Sequence, residues 1–286
     1  MFIGDSSGAH VTFHGVRGST PCHGDDIRRY GGNTSCVSVD FPGQRPIVFD
    51  MGTGLRYFGA DQPHDGSFLG ACLLTHLHWD HTQGLPFFTP MLRPGAEFDV
   101  YAPAQEDGRS VYEVFVTTIR PPLFPISIDD FPGTFRFHDK GNEEFKIDDV
   151  RVVSRFVPHV GATLGYRIEW NGYSVAYLSD HQQPHDGSLA ASDGALELAD
   201  GVDLLIHDSQ YTDDEFALKS TWGHCTVDYA VWFAGEAGAK QLALFHHDPT
   251  RTDDAVDSII KRACAQGRAR GTKVIGAREG LVVDFD

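Results

Sequence analysis

The sequence predicts an α/β layered sandwich, two β-sheets packed together with helices on the outside. Three observations carry that expectation. The first half breaks into short strands separated by Gly and Pro turns, and the second alternates strands with helices of 3.6-residue period. No repeat, low-complexity tract or linker interrupts the 286 residues, so 1–286 reads as a single domain.

The elements follow in order. Val11-Thr12-Phe13 and Thr34 to Phe41 alternate as half-buried strands do, and Pro46 to Phe49 is a short apolar run ending at Asp50. Ala71 to Leu74 is an apolar strand that runs directly into a histidine cluster, and Phe98 to Tyr101 is another strand. This first half is expected to form a meander. Arg120 to Gly133 (RPPLFPISIDDFPG) carries four prolines and reads as an irregular excursion, a lid, a dimer contact or a simple packed loop. Gly165 to Trp170 and Tyr173 to Leu178 flank Asn171-Gly172, a hairpin signal because both turn positions need positive φ. Val202 to Ile206 and Gln241 to Phe245 are buried-strand patterns. Val227, Ala230, Val231 and Ala234 mark an amphipathic helix that stops near Gly238. Val256, Ile259, Ile260 and Ala263 mark another, with Asp253 and Asp254 in its first turn and Gly267 beyond its end.

Composition narrows the function. Lys and Arg number 23 against 40 Asp and Glu, a formal net charge of −17, which opposes extended binding to nucleic acid. A small phosphate substrate remains compatible, because bound metal ions reverse the field locally. Five scattered cysteines, never in a C-x-x-C pair, argue against a disulfide framework or a zinc knuckle. The N-terminal MFIGDSSGAH lacks a signal-peptide layout, and no apolar run approaches the ~20 residues that span a bilayer. A soluble cytoplasmic protein is expected.

The chemistry concentrates in Thr75 to His81, T-H-L-H-W-D-H. On a helix His76 and His78 would point about 200° apart, whereas at a strand end or in a loop they can share one ion. Asp80 and His81 follow, placed for a second ion beside the first. Imidazole and carboxylate suit zinc, with manganese or iron as alternatives. His159, Asp180 and His246 each stand just after a strand and complete a ligand set for two divalent ions.

H-x-H-x-D-H followed by distant His, Asp and His resembles the metallo-β-lactamase fold superfamily of metal hydrolases. R-Y-G-G-N-T-S at Arg29 to Ser35, F-D-M-G-T-G at Phe49 to Gly54, G-Y-R-I-E at Gly165 to Glu169 and L-L-I-H-D-S at Leu204 to Ser209 resemble its ribonuclease Z-like phosphodiesterase branch, which includes cyclic-nucleotide phosphodiesterases. The resemblance runs from about Val11 to Pro249 and implies a four-layer αββα sandwich. It implies one ion on His76, His78 and His159 and a second on Asp80, His81 and His246, with Asp180 bridging. His247 stays an alternative to His246. Asp50 resembles the residue that steadies the histidine loop. Asp208 and His224 match a proton-donating dyad whose first member is commonly Glu in the family. Asp80, Asp208 and His224 are thus the candidate catalytic residues, and Cys225 is structural.

The resemblance implies a phosphodiesterase in which a hydroxide bridging the two ions attacks phosphorus while His224 protonates the leaving group. The expected substrate is a small phosphodiester, for example a cyclic nucleotide. The alternatives are a carbon-ester, lactone or thioester hydrolase on the same metals, or an RNA 3′-processing endonuclease, for which the sequence offers no evident gripping arm. Arg120, Arg136 and Arg155 are available as substrate cations, and a homodimer is expected by resemblance alone.

Overall fold

Alternating burial lays down the first strand of the computed structural model, which describes residues 8–285: along β1 (Ala9–Gly15) every second side chain faces the interior. Most of the N-terminal MFIGDSSGAH stretch, weighed as a signal peptide, lies outside the described residues. The chain continues through β2 (Cys36–Asp40), β3 (Ile47–Phe49), α1 (Leu55–Ala60), β4 (Leu69–Leu73), α2 (Trp79–Thr82), β5 (Glu97–Pro103), α3 (Val111–Thr118) and β6 (Thr134–Lys140). It then forms β7 (Glu143–Ile147), β8 (Val150–Phe156), β9 (Leu164–Trp170), β10 (Tyr173–Leu178), α4 (Asp193–Ala199), β11 (Leu204–Asp208), α5 (Asp213–Lys219) and α6 (Val227–Glu236). Finally come β12 (Gln241–Phe245), α7 (Asp253–Arg270), β13 (Lys273–Gly276) and β14 (Val282–Phe285).

Two seven-stranded sheets result, ordered β14-β1-β2-β3-β4-β5-β6 and β13-β12-β11-β10-β9-β8-β7. Between them Val11, Phe13, Val37, Phe49 and Leu73 meet Tyr166, Ile168, Ile206 and Phe245, and Phe49 stacks on Tyr177 with ring centroids 4.7 Å apart. Outside the first sheet, Cys36, Val48 and Cys72 pack with Leu55, Phe58, Phe88 and Phe115. Outside the second, Leu178, Leu205 and Leu244 pack with Val231, Phe233 and Ala263. The architecture is the expected four-layer αββα sandwich. Among the described residues no helix is long and apolar enough to cross a membrane.

The Asn171-Gly172 turn joins β9 to β10 with φ of 49° and 89°, as the hairpin signal required. Two expectations need correction. The initial meander ends at β3, because β3 to β6 pair in parallel; short helices α1, α2 and α3 occupy the crossovers. The longer antiparallel run is instead β7 to β10. Gly267 lies inside α7 rather than beyond it, and the left-handed terminating residue is Gly271, at φ 81°. The proline-rich segment packs: Ile128 and Phe131 are buried in the outer core of the first sheet, and Phe124 meets Phe87 edge-on.

What distinguishes the two glycines is the neighbour each would meet. A Cβ on Gly267 would overlap Val274 Cγ2 and stand 2.8 Å from Thr272 O, whereas nothing lies within 4 Å of one on Gly271. In an open helix Gly→Ala gains about 0.5–1 kcal/mol. Gly267→Ala is expected to reverse that sign and cost about 1–3 kcal/mol through overpacking, read as a lower denaturation midpoint in urea.

Candidate metal centre

Strand direction gathers the site. β10, β11 and β12 are parallel to one another, and β8 runs the same way across antiparallel β9, so their C-terminal ends share one edge. His159, Asp180, Asp208 and His246 stand at those ends. β3 and β4 end alongside with Asp50 and the 76–81 loop. Among the described residues six non-glycine residues have left-handed φ, and Ser19 (60°), Asp50 (59°), Asp180 (57°) and His246 (59°) are four of them. Such a turn swings the side chain out of its strand direction at a steric cost that the surroundings must offset.

Asp50 organises the loop. Its Oδ1 accepts from Thr75 N–H at 2.7 Å and Thr75 Oγ1 at 2.9 Å, and its Oδ2 from Tyr177 Oη at 2.8 Å and His81 Nδ1 at 2.7 Å. Two further bonds stitch the same loop to the second sheet, Leu164 N–H to Thr75 O at 2.9 Å and Tyr166 Oη to Leu74 O at 2.8 Å.

Within this frame the seven predicted ligand residues converge in two groups. In the first, His76 Nε2 lies 2.8 Å from His78 Nδ1, His159 Nε2 lies 3.4 Å from that same nitrogen, and Asp180 Oδ2 is 3.7 Å from both Nε2 atoms. In the second, His81 Nε2 is 3.2 Å from Asp80 Oδ2 and 3.3 Å from Asp180 Oδ1, and His246 Nε2 is 3.2 and 3.1 Å from the same two oxygens. Asp180 therefore offers one oxygen to each group. His247 turns away, with Nε2 on Ala277 O at 2.9 Å, so His246 alone of the pair enters.

The donor set fits two divalent cations. His76 Nδ1–H donates to Thr75 Oγ1 (3.0 Å), His81 Nδ1–H to Asp50, and His159 Nδ1–H to Gly223 O (2.8 Å), which leaves Nε2 of each as the nitrogen aimed inward. His81 Nε2 is buried with no hydrogen-bond partner, facing two carboxylates. A cation is the species that such nitrogens and carboxylates attract together. Burial pushes the pKa of His76, His78 and His159 down, that of His159 to about 4, keeping them neutral. Burial alone would raise Asp80 and Asp180, but His81 and His246 hold both below the carboxylate range. Burial opposes protonation of His81 too, yet Asp80, Asp180 and Asp50 drive its pKa up.

Asp208 and His224 stand beside the second group. His224 Nδ1–H donates to Asp208 Oδ2 at 2.7 Å, and Asp208 Oδ1 accepts from Gln210 N–H at 3.0 Å and Cys225 N–H at 3.3 Å. Asp180, Asp208, His224 and His246 form a third, overlapping ligand-type group, but there the His224–Asp208 pair is already joined. An open cavity of about 290 Å³ is lined by Ser19, His78, Asp80, His159, Asp180, Trp222 and His224.

Sequence reasoning missed the residues that act through their backbone. Ser19 N–H donates to Asp80 Oδ2 at 2.8 Å, and Gly223, at φ 93°, brings its carbonyl so close to His159 that a Cβ would overlap the ring. Only the glycine in W-G-H carried a visible signal. Arg120, Arg136 and Arg155 do not line the cavity; Arg136 is bound to Glu97 and Arg155 to Glu197.

A family model described as Beta-lactamase superfamily domain matches residues 45–247. Ribonuclease Z of Synechococcus sp. (strain WH7803) is 27% identical over 84% of this chain and 85% of its own, and ribonuclease Z of Archaeoglobus fulgidus is 25% identical over 86% and 89%. Among solved structures, the metallo-beta-lactamase fold protein YhfI from Bacillus subtilis superposes with a TM-score of 0.72 at 18% identity, covering 98% of this chain and 100% of its own. A diphosphatase from the PhnP family gives 0.66 at 20% identity, covering 97% and 98%, and human tRNase Z, short form, gives 0.63 at 22%, covering 96% and 98%.

Zinc added to chelator-treated protein is expected to raise the unfolding temperature, since an ion at 100 times its Kd adds about 2.7 kcal/mol per site. Because His81 must shed a proton to offer Nε2, affinity is expected to strengthen as pH rises. Titration calorimetry at pH 6 and 8 reads the second effect, and a midpoint indifferent to both zinc and chelator would contradict the first.

Proposed function

We propose, for a chain that belongs to the beta-lactamase superfamily and is a metal-dependent hydrolase of its ribonuclease Z-like branch, that the bond it cleaves is a phosphodiester in a small molecule. The observation that carries the reading is the Asp208–His224 pair, joined at 2.7 Å beside the cavity. Burial would lower the His224 pKa, but the Asp208 carboxylate raises it to about 9, so the ring holds a proton at neutral pH. With Nδ1–H given to Asp208, Nε2–H is the proton His224 can deliver. An alkoxide leaving from phosphorus needs that proton, whereas the leaving group of a thioester or activated lactone does not.

Two divalent ions, assigned as zinc with manganese or iron as alternatives, supply when bound the Lewis acidity that activates water and neutralises phosphoryl charge. His76, His78, His159 and one Asp180 oxygen would hold the first; Asp80, His81, His246 and the other Asp180 oxygen would hold the second. Ser19 N–H steadies Asp80, Asp50 orients His81, and Gly223 O orients His159. His224 protonates the departing oxygen. We place the protein in the reducing cytoplasm, a reading supported by five free cysteines, three of them buried.

The name ribonuclease Z on the relatives favours a second reading, an RNA endonuclease. Against it stand the net charge of −17 and the ion pairs that occupy Arg136, Arg151 and Arg155. A panel of metal-loaded assays with 2′,3′- and 3′,5′-cyclic nucleotides, a thioester, a lactone and a precursor tRNA separates the readings. Turnover of the cyclic nucleotides supports the proposal, and exclusive turnover of the RNA or of a carbon ester overturns it. His224→Ala is expected to keep its metal and lose about 10²–10⁴-fold in kcat on alkoxide-releasing diesters, with a far smaller loss on bis(p-nitrophenyl) phosphate. An equal loss on both would exclude His224 as the acid.

A further inference from the structure

Six of the seven residues lining the cavity are polar, and the seventh is a tryptophan: Trp222 stands 62% exposed where the others supply metal ligands, an acid and a backbone donor. It is also held in place. Trp222 N–H donates to Lys219 O at 2.9 Å, the carbonyl of adjacent Gly223 accepts from His159 at 2.8 Å, and the next residue, His224, is bound to Asp208. The three consecutive residues thus present an aromatic surface, a clamp on His159 and the acid from one short turn. Lys219 Nζ lies over the Trp222 ring at 5.4 Å and over Tyr211 at 4.9 Å, and Tyr211 in turn meets His224 edge-on. An ammonium at that distance steadies one face of an indole and leaves the remaining aromatic surface free to accept a second flat group.

We propose that Trp222 is a specificity-determining residue, a stacking platform for a planar aromatic group carried by the phosphodiester. The substrate class is then a small phosphodiester bearing a nucleobase or an aryl ring close to the scissile bond. The assignment rests on the phosphodiesterase reading and narrows it. Backbone bonds hold the turn that carries the indole and Lys219 lies over its ring, so less freedom is lost when a second ring stacks on it and more of the stacking contributes to affinity. Stacking of one base on an aromatic side chain corresponds to about a 5- to 150-fold effect.

The test compares wild type, Trp222→Ala and Trp222→Phe, all metal-loaded, on 2′,3′-cyclic AMP and on glycerol 1,2-cyclic phosphate, a ringless diester of similar strain. Trp222→Ala is expected to lower the ratio of kcat/KM for the nucleotide over the ringless diester by about 5- to 150-fold, mainly through KM, and Trp222→Phe to restore most of it. An unchanged ratio, or no recovery with Phe, overturns the proposal. Calorimetric binding of AMP, phenyl phosphate and inorganic phosphate tests the platform without turnover. AMP or phenyl phosphate should bind wild type more tightly than phosphate does, and Trp222→Ala should erase the difference; preference for AMP alone identifies a nucleobase, and preference for both an aryl-tolerant site. Ligands that bind wild type no better than phosphate overturn the platform. Absence of turnover on every phosphodiester would instead overturn the phosphodiesterase reading.

Discussion

Asp50 is fully buried, and four donors from three residues meet its two carboxylate oxygens. A carboxylate buried this deeply is tolerated only when its lone pairs are so occupied. Here the donors are spread across the fold: Thr75 and His81 come from the loop after β4, and Tyr177 reaches over from β10 in the other sheet. One side chain therefore ties the two sheets together at the edge where the site stands. It also fixes which nitrogen of His81 faces inward. The loop carrying His76, His78, Asp80 and His81 is held against the strand ends that carry Asp180 and His246.

Electrostatics follows from that convergence. Asp80 and Asp180 would repel each other in a buried cleft, yet both stay ionised because His81 and His246 lie within 3.3 Å. The same negative field favours a proton on His81 and favours divalent cations, so protons and metal compete for one place. His224 lies at the margin of this field, near enough to Asp208 to remain charged and exposed enough to line the cavity. The strain of left-handed φ at Asp50, Asp180 and His246 is offset by these bonds, consistent with strained backbone collecting where side chains must be aimed.

Much of this is legible in the sequence because the candidate metal ligands follow apolar strands directly. His76, His78, Asp80, His81, His159, Asp180 and His246 were all marked by that adjacency, and the structure brings them together. The Asn171-Gly172 hairpin and the α6 helix were equally plain, since turn chemistry and a 3.6-residue period are local signals. The parallel pairing of β3 to β6 was hidden because α1 and α2 span six and four residues, too few to display a period. Gly267 resembles a terminator in the sequence because a glycine needed for close packing against Val274 looks the same there as one needed for its φ. Ser19 acts on Asp80 from 61 residues away through its backbone N–H, which leaves no mark on residue type. Arg136 and Arg155 seemed free only because Glu97 and Glu197 are distant in sequence.

Anomalous diffraction at the zinc edge, from crystals of zinc-loaded protein, addresses the centre itself. Two peaks per chain are expected, one among His76, His78 and His159 and one among Asp80, His81 and His246, with Asp180 touching both. Peaks confined to surface residues, or a single ion seated between Asp208 and His224, would contradict a two-ion centre.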